Sequence, residues 1–302
     1  MTEKQFRELL LHGLDGIQRW ESGWRAYEPH PSLTLSPGAA REAVDALVAR
    51  LADNYPFFHP DYAGQMLRPP HSIALLAYAL TARINPSNHA LDGGPATAEL
   101  ERECIAQLAA MFNLASPYLG HLTSSGTAAN LEALWVASRL RPGKAVAFSS
   151  EAHYTHKRMC DVLGIRSIEL PVNAGGRLTC EALQAGSAQT EIGTVIVTAG
   201  TTATGAIDPI DDIVALARQR NWRVHADAAY GGFFATIAGL CRRTFRLHRG
   251  TRWRTAIQSW WILTSMACSP TVVAQCFLLI RTWARCTNMI RHTRISARTS
   301  CI

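Results

Sequence analysis

The chain has 302 residues, 48% hydrophobic and 18% charged, which fits one large globular domain or two small ones and excludes disordered, collagen-like and disulfide-scaffold classes. Its formal charge of +7 is unevenly distributed: all 23 acidic residues lie at or before Asp227, and lysine occurs only at Lys4, Lys144 and Lys157. Residues 1–227 carry 19 basic against 23 acidic groups, a net −4, whereas residues 228–302 hold 11 Arg and no acid, where ordinary usage gives roughly nine acids.

Cysteine follows the same split, with Cys104, Cys160 and Cys180 in the body and Cys241, Cys268, Cys276, Cys286 and Cys301 near the end. None forms a CxxC pair, so zinc and thioredoxin-like chemistry lack their spacing and no metal site is expected. The opening MTEKQFRELLLHGL is amphipathic with early acids and is not a secretory signal, which makes a reducing cytoplasm the expected location.

Residues 1–90 read as helices joined by Pro-rich loops. Phe6, Leu9, Leu10, Leu14 and Ile17 recur at helical spacing, Ser36-Pro37 opens a helix running to about Ala52, and Thr97 is expected to cap another bearing Leu100, Ile105, Leu108 and Met111. From about residue 119 short β-rich runs alternate with helices: HLTS (121–124), a helix Thr127–Leu140, AVAF (145–148), a helix His153–Leu163, SIEL (167–170), a helix Cys180–Ala188, VIVTA (195–199), a helix Pro209–Arg220, and WRVHAD (222–227). Five apolar strands with intervening helices predict an α/β fold, a mostly parallel central sheet with helices on both faces. In such sheets ligands gather at the carboxyl ends of strands.

Three segments fall at those ends. In TSSGTAANLEAL (123–134), small residues turn directly into a helix N-terminus, where first-turn amides, the Ser125 and Thr127 hydroxyls and the bare Gly126 suit a phosphate; plain capping explains the same string. SSEAHYTHK (149–157) sets His153 just past a strand, where a lone histidine is commonly structural. VHADAAYGG (224–232) puts Asp227 at the end of a buried strand, where a carboxylate needs a cation or several donors; the plainer alternative is that it caps the following turn.

Together NPSNHALDGGPATAELE (85–101), TSSGTAANLEAL, HYTHKRMCDVLG (153–164), TAGTTATGAIDPID (198–211) and WRVHADAAYGG (222–232) resemble the group II amino-acid decarboxylases, pyridoxal-phosphate enzymes of the aspartate-aminotransferase fold, over roughly residues 50–236. The resemblance implies pyridoxal 5'-phosphate as cofactor and an amino acid as small-molecule substrate. It implies Ser125, Gly126 and Thr127 at the phosphate, His153 on one face of the pyridine ring and Ala229 on the other. Asp227 is then paired with the protonated ring nitrogen and Thr202 lies near ring and substrate, while His225 reads as a structural neighbour. It also implies a homodimer and a division into a helical segment (1–90), a cofactor-binding α/β domain (91–236) and a remainder (237–302).

That family forms a Schiff base through a lysine about 35–40 residues beyond the aspartate, in a DPHK string, and no lysine follows Lys157 here. The genetic code suggests why. Read one base out of register, permitted codons for Ala256–Ala274 (AIQSWWILTSMACSPTVVA) spell DSVVVDPHKHGLQPYGCG, with the lysine codon straddling Thr264 and Ser265. The reading frame is therefore expected to slip between Phe234 and Ala256, making 237–302 an aberrant basic tail, and the family's small C-terminal domain is expected to be missing. Two rival readings of the tail, a membrane span over Trp260–Ile280 and electrostatic nucleic-acid binding through the Arg-rich stretch 242–254, leave the hidden motif unexplained. Neither a membrane nor a nucleic-acid partner is expected. Two other functions remain open: a different lyase or aminotransferase of the same fold, and a non-catalytic interaction protein.

Overall fold

The computed structural model describes residues 1–64, 70–112, 114, 116–233 and the backbone of 263–264, and the chain divides into two compact units, Met1–Asn85 and Pro86–Ile302. The stretches 242–254 and 237–302 lie outside the described residues apart from that two-residue piece, as does most of Trp260–Ile280.

The first unit holds α1 (Glu3–Glu21), a 3-10 turn (Pro31–Leu33), α2 (Pro37–Leu51) and α3 (Ser72–Ile84). Thr2 and Gln5 form a reciprocal cap at the start of α1, and Ser36 caps α2 ahead of its first-turn proline. Arg83 of α3 makes two hydrogen bonds, 2.9 and 3.1 Å, to the Glu21 carboxylate at the end of α1. Val44, Leu47, Val48 and Leu51 recur at helical spacing along α2, and each is more than half exposed.

The second unit comprises α4 (Pro95–Met111), α5 (Gly126–Leu140), β1 (Ala145–Ser149), α6 (Thr155–Val162), β2 (Ser167–Leu170), α7 (Cys180–Gln189), β3 (Ile192–Thr198), α8 (Ile210–Gln219), β4 (Arg223–Asp227) and β5 (Leu263–Thr264). The strands are all parallel, in the order β2-β1-β3-β4-β5. The chain moves outward from β1 to β2 and then returns to β3 on the other side, so the direction reverses between β1 and β3.

Side-chain alternation assigns the two faces. Val195 and Val197 of β3, Ala147 of β1 and Val224 and Ala226 of β4 pack with Leu183, Ile213, Val214 and Ala217 of α7 and α8. Ile196, Val146 and Phe148 pack on the opposite face with Leu134 of α5 and Met159 and Cys160 of α6. Helices thus cover both faces, as the sequence predicts.

Two local expectations fail. HLTS (121–124) is not a strand: the Leu122 amide donates to Glu101 Oε1 at 2.7 Å and Thr123 Oγ1 donates to the Ser125 carbonyl at 2.9 Å, so side-chain and local bonds take the place of a ladder. Thr97 does not cap α4, which starts at Pro95 behind Gly94; its hydroxyl instead contacts the Asn88 side chain and the Gly94 carbonyl.

Candidate active site

The alternation that places Ala226 toward α8 turns His225 and Asp227 toward α5 and α6. Both are buried there, at 4% and 5% exposure, with Asn130 of α5 and His156 of α6. His225 Nε2 donates to Asn130 Oδ1 at 3.0 Å, which ties α5 to β4. Burial, reinforced by His156, pushes the His225 pKa down to about 3, so that ring is neutral.

Asp227 ends β4, in register with Thr198 of β3 and with Thr264 of β5. Its Oδ2 accepts a hydrogen bond from His156 Nε2 at 2.9 Å, and its Oδ1 accepts the Ala229 amide at 3.1 Å. Burial acts to raise its pKa, but the His156 hydrogen bond and charge interaction and the Ala229 amide outweigh it, holding the carboxyl below the ordinary carboxylate value. The plain reading of Asp227 as a turn cap is therefore realised in one oxygen, and the buried-pair reading in the other.

Ser125 is the N-cap of α5: its Oγ accepts the Ala128 amide at 3.2 Å and its carbonyl accepts the Ala129 amide at 3.0 Å. The amides of Gly126 and Thr127 belong to the open first turn, which carries the positive end of the helix dipole. Gly126 is half-buried and Thr127 exposed.

His153 precedes α6 and is partly exposed, its Nδ1 accepting from the Thr155 amide at 3.3 Å with the Thr155 hydroxyl at 2.5 Å. Burial pushes its pKa below the ordinary histidine value, against the pull of Asp227. Ala229 is exposed and meets Asp227 through its backbone. Thr202 is exposed in the turn after β3, while its neighbour Thr201 is the buried member of the pair, bonded to Thr204 Oγ1 and the Ala206 amide. Lys144 pairs with Glu191 at 2.8 Å, and Lys157 pairs with Asp161 on the exposed side of α6, so neither amine is directed at Asp227 in the way His156 is. Ser265 lies outside the described residues.

His156 is the member that sequence reasoning missed. The signal was present: 155, 156, 159 and 160 form the buried stripe of α6, so the histidine in HYTHKRMC falls on the face turned to the sheet. Asp208 was missed as well. Its two carboxylate oxygens accept the Leu178 amide at 2.8 Å and the Thr198 amide at 2.7 Å, pinning the end of β3 from a buried position. Gly231 lets the chain after β4 approach the end of β3 closely, since a Cβ there would run into the Ala199 carbonyl.

The family described as the pyridoxal-dependent decarboxylase conserved domain matches residues 56–297. A probable L-tyrosine/L-aspartate decarboxylase of Methanoculleus marisnigri is 32% identical over 169 residues, covering 55% of this chain and 45% of that protein. An L-2,4-diaminobutyrate decarboxylase of Rhizobium meliloti is 32% identical over 188 residues, covering 58% of this chain and 38% of its own length. The crystal structure of mouse CSAD superposes with a TM-score of 0.61 at 24% identity, over 78% of this chain and 58% of that one, and shares the fold. The chain spans about half the length of the curated relatives it matches. Among the described residues, no helix is long and apolar enough to cross a membrane.

Proposed function

Because the chain belongs to the pyridoxal-dependent decarboxylase family, we propose that it forms the cofactor-holding part of an enzyme that removes the α-carboxyl group of an amino acid. The observation that carries this reading is the Asp227 carboxylate, buried at the end of β4 and held ionised by His156 and the Ala229 amide. Pyridoxal phosphate, when bound, supplies a protonated ring that takes up the electron pair left as CO₂ departs.

The donor set is chemically suited to that group. A buried anion matches a protonated pyridine nitrogen, and the open first turn of α5 matches a phosphate. In this reading Asp227 neutralises the ring nitrogen, and Ser125, Gly126 and Thr127 hold the phosphate. His153 and Ala229 flank the ring, and Thr202 borders the substrate. His153 lies in the field of Asp227, which supports its nearness to the ring.

The chain as written is proposed to lack turnover, because the lysine that the family uses to attach cofactor is absent from its sequence after Lys157. The pairing of Asp227 with Thr264 supports the view that a lysine encoded across Thr264 and Ser265 in the alternative frame belongs beside Asp227. The intact form is proposed to act in the cytoplasm as a homodimer. The bare apolar stripe of α2 favours association, and sedimentation of the purified chain tests it.

The test of function compares this chain with a frame-corrected one, each supplied with pyridoxal phosphate and a panel of amino acids. The chain as written is expected to bind cofactor reversibly, with no mass increase after borohydride and no CO₂. The corrected chain is expected to release CO₂ and amine together. Sustained CO₂ release by the chain as written refutes its inactivity, and keto acid from the corrected chain moves the assignment to an aminotransferase.

A further inference from the structure

We propose that His156 is the positioning residue of Asp227, holding its carboxylate ionised and fixed in orientation so that its remaining lone pairs face the ring nitrogen. The inference rests on the assignment of Asp227 to that nitrogen. His156 is fully buried, and the only hydrogen bond of its side chain among the described residues is the 2.9 Å contact from Nε2 to Asp227 Oδ2. Its Nδ1 is buried with no partner among those residues.

That asymmetry puts an N–H on Nε2. Nε2 faces a carboxylate oxygen, which only a donor meets favourably, whereas Nδ1 faces no acceptor among the described residues, so the ring nitrogen that must carry a proton is the one at the carboxylate. The ring packs beside Phe148 and, edge to face, beside His225, with centroid separations of 6.3 and 6.0 Å, and His225 is itself anchored by Asn130. The titratable groups around the pair are His153 and Cys160 from the α6 segment and His225 from β4. His225 is neutral, and burial pushes the Cys160 thiol up to about 11, so neither competes for the Asp227 charge. Thr198 of β3 and Asn130 of α5 complete the surroundings without charge.

An apolar side chain at 156 would leave Asp227 with one donor and its burial uncompensated; glutamine retains an N–H at the reach of Nε2. The full chain without cofactor is examined by carbon NMR of the Asp227 carboxyl, assigned with Asp227→Asn, in the parent, His156→Leu and His156→Gln. The Asp227 titration is expected to move to higher pH in His156→Leu and to stay near the parent in His156→Gln. Pyridoxal phosphate binding, read by fluorescence, is expected to weaken about tenfold in the leucine variant and much less in the glutamine one, the effect of one lost bond to a buried charge.

A folded His156→Leu chain in which Asp227 titrates as in the parent overturns the proposal. So does equal weakening of cofactor binding by both variants with the titration unmoved, the mark of a merely structural role. Nitrogen NMR of the unsubstituted chain supplies a test that no folding defect can obscure: a bare Nε2 on His156 overturns the proposal, and a protonated one supports it. Both NMR readouts are taken without cofactor, so failure of the decarboxylase reading leaves them intact.

Discussion

Replacing Asp227 with asparagine keeps the shape of the side chain and removes one of its two acceptors. The carboxylate takes the His156 Nε2–H on one oxygen and the Ala229 N–H on the other. A carboxamide has one oxygen and turns its NH₂ toward whichever donor is left. A buried donor without a partner costs about 1–3 kcal/mol, and that is the destabilisation expected near neutral pH. Acid should erase it. Because folding holds the Asp227 pKa below its unfolded value, the carboxylate's contribution is complete above about pH 4–5 and is lost as pH falls through the folded value. The parent therefore weakens toward the variant on acidification, since a protonated carboxyl approximates a carboxamide. Urea unfolding of both chains across a series from neutral to about pH 3 reads the effect as the gap between their unfolding free energies. Equal stability at neutral pH, or a gap that stays constant down to the acid end, refutes the assignment of Asp227 as a doubly bonded, ionised carboxylate.

Two further substitutions separate capping from close packing. Ser125→Ala removes the Oγ that accepts the Ala128 amide; it is expected to destabilise the fold by about 0.5–2 kcal/mol in urea unfolding and to weaken pyridoxal phosphate binding in a fluorescence titration, whereas unchanged binding would remove Ser125 from the phosphate site. Gly231→Ala forces a methyl group against the Ala199 carbonyl, backbone against backbone, and is expected to cost about 1–3 kcal/mol with no change in the Asp227 titration.

The middle of the sheet was readable because β1 and β3 are buried along their whole length and so appear as short apolar runs, AVAF and VIVTA being the plainest. Helix α2 was readable from its Ser36 cap and first-turn proline, and α7 and α8 from their place between successive β-rich runs. HLTS was misjudged because a β-compatible tetrapeptide becomes a strand only when a neighbour offers a ladder, and here Glu101 satisfies its amide first. Thr97 was misjudged because threonine suits an N-cap, yet Pro95, with no amide to lose, fits the first turn two residues earlier.

The sequence by itself determined the chemistry available: one acidic residue after the last long apolar strand, a small-residue turn into a helix, no lysine downstream, and a charge pattern that breaks at Asp227. Only the tertiary structure decided which partner that acid has. His156 lies 71 residues away and Asn130 lies 95 from His225, separations that no local pattern spans. The physical reason is that alternation along β4 and the helical stripe of α6 each select an inward face, but only parallel sheet packing brings those two faces together. Burial then converts the meeting of a histidine and an aspartate into a held charge.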